Sequence, residues 1–336
     1  MESKHKFDLG KGGAKRICKG GNRIMGSSLS FPFMQHMALA TITLKKGGVR
    51  EPHWHPNADE MTYCVEGKAL ITMFSPGNEH NTFTLSAGEV VYFPKGYIHH
   101  IENIFDGESR FILCYDHHSP EDLDLSQSIG SMSAHVLAST FGSSKEAFKK
   151  LKKHADDTFI SRRKIIETRG SNHNFNKFNL EKIHPQIETK GGLARIANKT
   201  NFHALEHLAL FSLRIAKKGV REPHWHPNAT ELNFVVQGKA RLTILSPSGD
   251  IDTFELLPNQ GSIIPAGYFH HIENIGSKEL HMTVFFNNAV PDDIGLSGAI
   301  SAYSNETLAS LFGVKPEFFA QLHHFEEDRM IVTGGG

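Results

Sequence analysis

Short alternating runs dominate the chain. ALITMF (69–74) and ARLTIL (240–245) alternate apolar and polar residues, the period of a strand with one face buried. SPGNEHN (75–81) and SPSGD (246–250) follow them with turn-forming residues. VVYFP (90–94) and SIIPA (262–266) are short, β-branched or aromatic, and stopped by Pro. Strands punctuated this regularly predict a sandwich or barrel. After each β-rich stretch the period changes. SAHVLASTFGSSKEAFKKLKKH (133–154) and SNETLASLFGVKPEFFAQLHHF (304–325) are predicted helical, with Leu137, Phe141, Phe148 and Leu151 near helical spacing. Gly142 and Gly313 are placed to end a first short helix in each. The Phe and Leu stripes are expected to be core or interface. The expected class is therefore all-β with accessory helices.

The pattern is written twice. REPHWHPNA occurs at Arg50 and again at Arg221, an offset of 171 residues. The same offset matches Gly67-Lys68-Ala69 to Gly238-Lys239-Ala240, GYIHHIENI at Gly96 to GYFHHIENI at Gly267, and Phe141-Gly142 to Phe312-Gly313. Upstream, GGAKRI at Gly12 resembles GGLARI at Gly191 at an offset of 179, which places one length change between them. Two domains are expected, 1–170 and 171–336, rather than an array of short repeats.

Composition narrows the chemistry. The 336 residues suit two domains rather than one core. Lys plus Arg equals Asp plus Glu at 36 each, so no bulk charge draws the chain to nucleic acid or an anionic membrane. Cys18, Cys64 and Cys114 are odd in number and contain no CxxC, which argues against a disulfide framework or a thiolate zinc site. MESKHKFDLGKGG has no apolar leader pattern and no run of 18 apolar residues occurs, so a cytoplasmic protein is expected. Histidine is the outlier at 22.

Alternate residues of a strand share a face, so His53 and His55 project together while Trp54 points away. Two imidazoles side by side in an interior are costly unless something uses their nitrogens, and a divalent metal does so. Glu60 follows at a distance that lets its carboxylate swing back, and His99 follows Pro94 and Gly96. The second copy offers His224, His226, Glu231 and His270. His100 and His271 should face the opposite way.

These spacings resemble the two signature motifs of the cupin superfamily. Gly47, His53, His55, Glu60 and Gly67 fit G-x5-H-x-H-x4-E-x6-G. Gly88, Pro94, Gly96, His99 and Asn103 fit G-x5-P-x-G-x2-H-x3-N. The second copy departs at two glycines, replaced by Lys218 and Asn259. The resemblance implies two tandem cupin barrels of the double-stranded β-helix, or jelly-roll, type. The tandem arrangement, GKARLTILSPSGD and HHIENIGS look like the bicupin oxalate decarboxylases. That likeness implies one manganese per domain, with Fe2+, Zn2+ or Ni2+ as alternatives. It also implies oxalate as substrate, formate and carbon dioxide as products, and a homo-oligomer with helices packed between units.

Within that likeness, Arg50 and Arg221 match an arginine that holds the substrate carboxylate. Three imidazoles and one carboxylate would leave a divalent ion positive and open to a small dicarboxylate. The other role for Arg50 is a structural ion pair with Glu51 or Glu102. The family's proton-donating lid Glu lies in a Ser-Glu-Asn-Ser/Thr stretch, and this chain has HHSPEDLDLS there. Glu121 is the candidate acid, with Asp122 and Asp124 near it and Asp292 and Asp293 in the second copy. Alternatively, Pro-Glu-Asp and Pro-Asp-Asp begin a helical turn. The family's Trp after the ligand Glu is replaced by Met61 and Leu232. Three functions follow: a manganese-dependent carboxy-lyase acting on oxalate, an oxidase or dioxygenase using the same site, or a metal- or ligand-binding bicupin without turnover.

Overall fold

The computed structural model describes residues 3–149, 151, 158–165 and 170–334. The chain forms two compact units, Gly12–Lys182 and a second made of Met1–Lys11 with Ile183–Gly336. The expected division at 170/171 is thus displaced at both ends. Lys177–Phe178 pairs with Val90–Phe93 and stays with the first unit. Lys6–Asp8 pairs with Gln260–Ile264 and belongs to the second. A strand's loyalty follows the sheet edge that accepts its hydrogen bonds, which no local string encodes.

Each unit is a pair of facing sheets. In the first, a seven-stranded sheet runs in the order Lys177–Phe178, Val90–Phe93, Glu60–Glu66, Ser109–Tyr115, Ala38–Leu44, Gly21–Gly26 and Ala14–Cys18. The other runs Leu123–Asp124, Gly48–Trp54, Ile98–Asn103, Lys68–Ser75 and Glu79–Ser86, with Ile160–Arg162 also on Gly48–Trp54. The second unit repeats this order. Among the described residues no ladder joins the two sheets of a unit into one closed barrel, so each is a jelly-roll sandwich. Side chains alternate as the sequence pattern requires. Ile42, Leu44, Ile71, Phe83, Leu85, Phe111 and Leu113 fill the first interior. Ile215, Leu242, Ile244, Leu256, Val284 and Phe286 fill the second.

The sheet register corrects the upstream alignment. Gly21 faces Leu44 and Gly192 faces Ile215, both pairs 171 apart. GGNRIM at Gly20, not GGAKRI at Gly12, is therefore the partner of GGLARI. The repeat keeps one offset through its first strands, and Arg16 and Arg23 correspond to Ile187 and Ala194.

The glycine departures are conformational. Gly47 and Gly88 have φ of 70° and 84°, and Lys218 and Asn259 keep φ of 63° and 69°. The left-handed turns survive without glycine; asparagine tolerates that region better than lysine does. The helical segments form as short helices. Ser133 and Ser304 cap Ala134–Phe141 and Asn305–Phe312, and Gly142 and Gly313 end them in left-handed conformation. Leu137 is buried, while Phe141 and Leu151 are exposed. Residues 150 and 152–154 of the expected first helical stretch lie outside the described residues. Pro120–Asp122 and Pro291–Asp293 do not begin helices. They lead into the strands Leu123–Asp124 and Ile294–Gly295, because those strands complete the edge beside Gly48–Trp54 and Gly219–Trp225. No helix among the described residues is long and apolar enough to cross a membrane.

Candidate metal centres

Both facing sheets contribute to each centre. In the first unit, His53 lies on Gly48–Trp54 directly opposite His99 on Ile98–Asn103. His55 follows the end of that strand. Glu60 opens Glu60–Glu66 in the other sheet. All four side chains are buried, and one ligand-type atom from each lies within 4.8 Å of the others. His224, His226, Glu231 and His270 repeat the arrangement, again with His224 opposite His270.

Main-chain carbonyls set the tautomer of all six rings. Nδ1 of His53, His55 and His99 lies 2.8, 2.9 and 2.9 Å from the carbonyls of Glu51, Glu121 and Tyr97. Nδ1 of His224, His226 and His270 lies 2.7, 2.7 and 2.8 Å from those of Glu222, Asp292 and Tyr268. A carbonyl can only accept, so each Nδ1 carries the proton and a neutral ring turns the Nε2 lone pair inward. The carboxylates are prepared likewise. Thr62 donates to one oxygen of Glu60 and Asn233 to one oxygen of Glu231, both at 2.5 Å. The other oxygen faces the rings: Oε2 of Glu60 is 2.8 Å from His55 Nε2, and Oε2 of Glu231 is 2.8 Å from His226 Nε2.

Lone pairs aimed at a carboxylate oxygen repel it unless a cation or a proton lies between them. Nε2 of His99 and of His226 is buried with no hydrogen-bond partner. Neutral imidazoles, one carboxylate and orienting outer hydrogen bonds are the donor chemistry of a divalent metal site. The residues present therefore fit such an ion, once per unit.

Without the ion, the rings divide the protons unequally. Burial, and next the Arg50 guanidinium, hold His53 well below its ordinary value, and burial lowers His99. Burial and Arg221 lower His224 to about 3. For His55 burial also opposes charge, but the hydrogen bond and charge of Glu60, with Asp122, outweigh it and raise the pKa. Burial opposes charge on His226 too, but the Glu231 carboxylate 2.8 Å away, with Asp293, raises its pKa. Burial disfavours the charged forms of Glu60 and Glu231, yet their histidine partners keep both well below the usual carboxylate range.

The metal-free protein is accordingly expected to be most stable near neutrality. Below an unfolded value of 6.5, the unfolded chain binds protons that His53, His99 and His224 refuse when folded, so stability falls with pH. Above 6.5, folded His55 and His226 retain protons that the unfolded chain has lost. Stability then falls as pH rises through their raised values. Each group contributes a slope of at most about 1.4 kcal/mol per pH unit. Urea unfolding of chelator-treated protein from pH 5 to 8 reads both limbs; a flat profile contradicts the assignment.

Arg50 is buried, but its partners are not the expected Glu51 or Glu102. It pairs with Asp124, lies 3.4 Å from Asp122, and stacks 4.1 Å over the Phe159 ring. Arg221 pairs with Asp293 and donates to the Met330 carbonyl at 3.0 Å. Glu121 has an exposed side chain, and its carbonyl orients His55. The carboxylate nearest the rings of the first centre from this segment is that of Asp122, behind His55 and 3.2 Å from its outward-facing Nδ1. Asp122 also pairs with Arg23 at 2.6 Å, a residue the sequence reading passed over. Its signal was present: at an offset of 171, Arg23 replaces Ala194 beside the same strand. His100 and His271 face away from the centres, toward Thr72 and Glu273.

The second centre borders a cavity of about 20 Å³, enough for roughly one water. Arg221, His224, His226, Glu231 and Asp293 line it together with apolar side chains.

Sequence and structure comparisons agree with this architecture. The Cupin family profile matches residues 18–149 and again 178–318. The chain is 29% identical over 321 residues to the oxalate decarboxylase OxdC of Bacillus subtilis, covering 92% of this chain and 79% of that protein. It is 27% identical to a probable oxalate decarboxylase of Arthroderma benhamiae, covering 90% of this chain and 76% of that one. The Bacillus subtilis oxalate decarboxylase structure at pH 4.6 superposes with a TM-score of 0.89 at 25% identity, covering 100% of this chain and 89% of that chain. Another structure of that enzyme, from work on its Mn(II) centres, gives 0.90 at 25% identity, covering 100% and 90%. Two matched segments, each holding one complete set of donors, place this chain in the cupin family as a bicupin.

Proposed function

We propose that this bicupin is a manganese-dependent carboxy-lyase that cleaves oxalate to formate and carbon dioxide. The observation that carries the reading is a buried guanidinium beside each buried set of three imidazoles and one carboxylate. The similarity to oxalate decarboxylases across most of the chain supports the choice of acid and metal. The ligands would be His53, His55, Glu60 and His99 in the first unit and His224, His226, Glu231 and His270 in the second. A bound manganese ion would supply a Lewis-acidic, redox-active centre for the acid.

The chain's own residues then bind, orient and protonate. Arg50 and Arg221 hold a carboxylate with planar, permanently charged forks. Breaking the oxalate C–C bond releases carbon dioxide and leaves an electron pair on the remaining carbon, which takes up one proton to give formate. No oxidant is consumed overall. Asp122 is ill suited to deliver that proton: burial raises its pKa, but Arg23 and Arg50 outweigh burial and hold it low. Glu121, exposed on the same covering segment, is assigned that role. The exposed Phe141, Phe312 and Phe318 of the helical segments are assigned to contact with a second copy.

Manganese-loaded protein given oxalate under air is expected to yield formate in proportion to oxalate consumed. Glu121→Gln is expected to lower that yield at least about 100-fold. One observation favours an oxidase instead. The covering segment is tied down where a proton donor would have to move: Asn57 bonds both Ser119 and Glu121, and Leu123–Asp124 is paired to Trp54 and His53. An oxidase protonates no carbon; oxalate, oxygen and two protons give two carbon dioxide and one hydrogen peroxide. Peroxide without formate selects that reading. Bound metal with neither product would leave a binding protein.

A further inference from the structure

The duplication carries its own control, because every position around one centre has a counterpart 171 residues away around the other. The donor sets are the same, but the walls are not. Around the first centre, Arg16, Arg23 and Arg50 stack on one Phe159 ring at 4.1, 4.6 and 4.1 Å. Their counterparts are Ile187, Ala194 and Arg221, and the counterpart of Phe159 is Met330. Tyr115, 5.0 Å from the His55 ring, becomes Phe286, 4.7 Å from His226. Ile187, Ala194, Phe286 and Met330 all line the second cavity.

The unsatisfied atoms differ in kind as well. Among the arginines of the first unit they are donors: Arg23 Nε and Arg50 Nη2 are buried without a hydrogen-bond partner. Arg50 Nη2 lies 3.4 Å from Asp122 without bonding it. In the second unit the unsatisfied atom beside the arginine is an acceptor, Asp293 Oδ1. Two guanidiniums already converge on one carboxylate, that of Asp122, immediately beside His55. Among the described residues Asp293 pairs with one guanidinium, that of Arg221, with His226 Nδ1 3.8 Å away. A site with spare guanidinium donors suits an acid that brings further carboxylate oxygens. A site with one arginine, apolar walls, a spare carboxylate oxygen that repels a second carboxylate and room for about one water suits an acid with one charge and a methyl-sized apolar body.

We infer that the two units take acids of different charge: the first a small doubly charged acid gripped by Arg23 and Arg50, the second a singly charged acid whose apolar body is no larger than a methyl group. Arg23 and its counterpart Ala194 determine that difference. The inference rests on the proposed reading of both centres as metal sites for small acids, and names the acid class at each.

Two single-centre proteins separate the claims. His224→Ala with His226→Ala keeps only the first centre, and His53→Ala with His55→Ala keeps only the second. Each is loaded with manganese, freed of excess ion and assayed for bound metal. Oxalate and acetate are then titrated while the Mn(II) paramagnetic resonance spectrum is followed. The first-centre protein should prefer oxalate over acetate about 10-fold or more, and the second-centre protein should reverse that order. Arg23→Met, which keeps bulk against Phe159, should weaken oxalate about 10- to 100-fold at the first centre and leave acetate unchanged. The same substitution in the intact protein gives that answer without deleting any ligand. Equal preferences at the two centres, or an Arg23→Met protein that binds oxalate as before, would overturn the inference while leaving the metal reading standing. Failure of both proteins to hold manganese would sink both.

Discussion

Replacing His53 and His55 together by alanine is expected to cut the divalent metal held by each chain from two equivalents to one. The lost equivalent belongs to the first unit, where the change removes two of the four converging donors. Changes in the outer shell of a metal site alone cost about 10- to 100-fold in affinity, so removing two ligands should cost more than about 100-fold. The mirror substitution of His224 and His226 should remove the other equivalent, and the four-residue change should remove both. Elemental analysis after gel filtration reads the stoichiometry directly. Thermal unfolding supplies a second readout, because an ion at 100 times its dissociation constant stabilises its unit by about 2.7 kcal/mol. A protein that keeps both equivalents after the first substitution would show that the rings near Glu60 are packing residues.

Glu51→Ala should be among the most destabilising single changes in the first unit. Glu51 is buried, and one of its oxygens accepts from the Ser126 N–H at 2.8 Å. The other accepts from the Ser126 hydroxyl at 2.9 Å and the Phe159 N–H at 2.5 Å. One carboxylate thus pins both the helix Leu125–Ser131 and the strand Ile160–Arg162 to the strand that carries His53. Removing it leaves buried donors unpaired, and the expected loss is about 3–5 kcal/mol. Glu222 does the same work in the second unit, accepting from Ser297 at 3.0 Å and Met330 at 2.6 Å. Denaturant unfolding should therefore show the first-unit transition moving to lower urea in Glu51→Ala while the second unit's stays in place. A shift within about 0.5 kcal/mol, as for an ordinary surface charge, would refute the assignment.

Much of this was legible before any coordinates. The repeated REPHWHPNA and the later histidine behind Pro-x-Gly picked out side chains that converge in each unit, because a candidate metal site needs those side chains at that spacing and tolerates no apolar substitute. The alternation of ALITMF and ARLTIL identified strands, because one face of each had to be buried. What stayed hidden depends on pairing over long separations. Arg50 finds Asp124 across 74 residues, and Asp122 finds Arg23 across 99. Pro120–Asp122 looked like a helix start because acids suit that position, but the sheet edge beside His53 claimed the next two residues. Two similar glycine strings competed for one counterpart, and only the ladder from Gly21 to Leu44 decides between them. With that choice misplaced, the contrast between Arg23 and Ala194 could not be seen.

The exchange of edge strands has a practical consequence. Lys6–Asp8 closes the sheet edge at Gln260–Ile264, whereas the chain between it and Ile183 folds as the other unit. Cutting the gene at its internal repeat would therefore not yield two self-sufficient halves. The downstream fragment would be born with a raw β edge, open to pairing with another molecule, and should clump unless those few leading residues are supplied in trans or grafted behind a linker. Ancestral duplication and present-day autonomy no longer share a border.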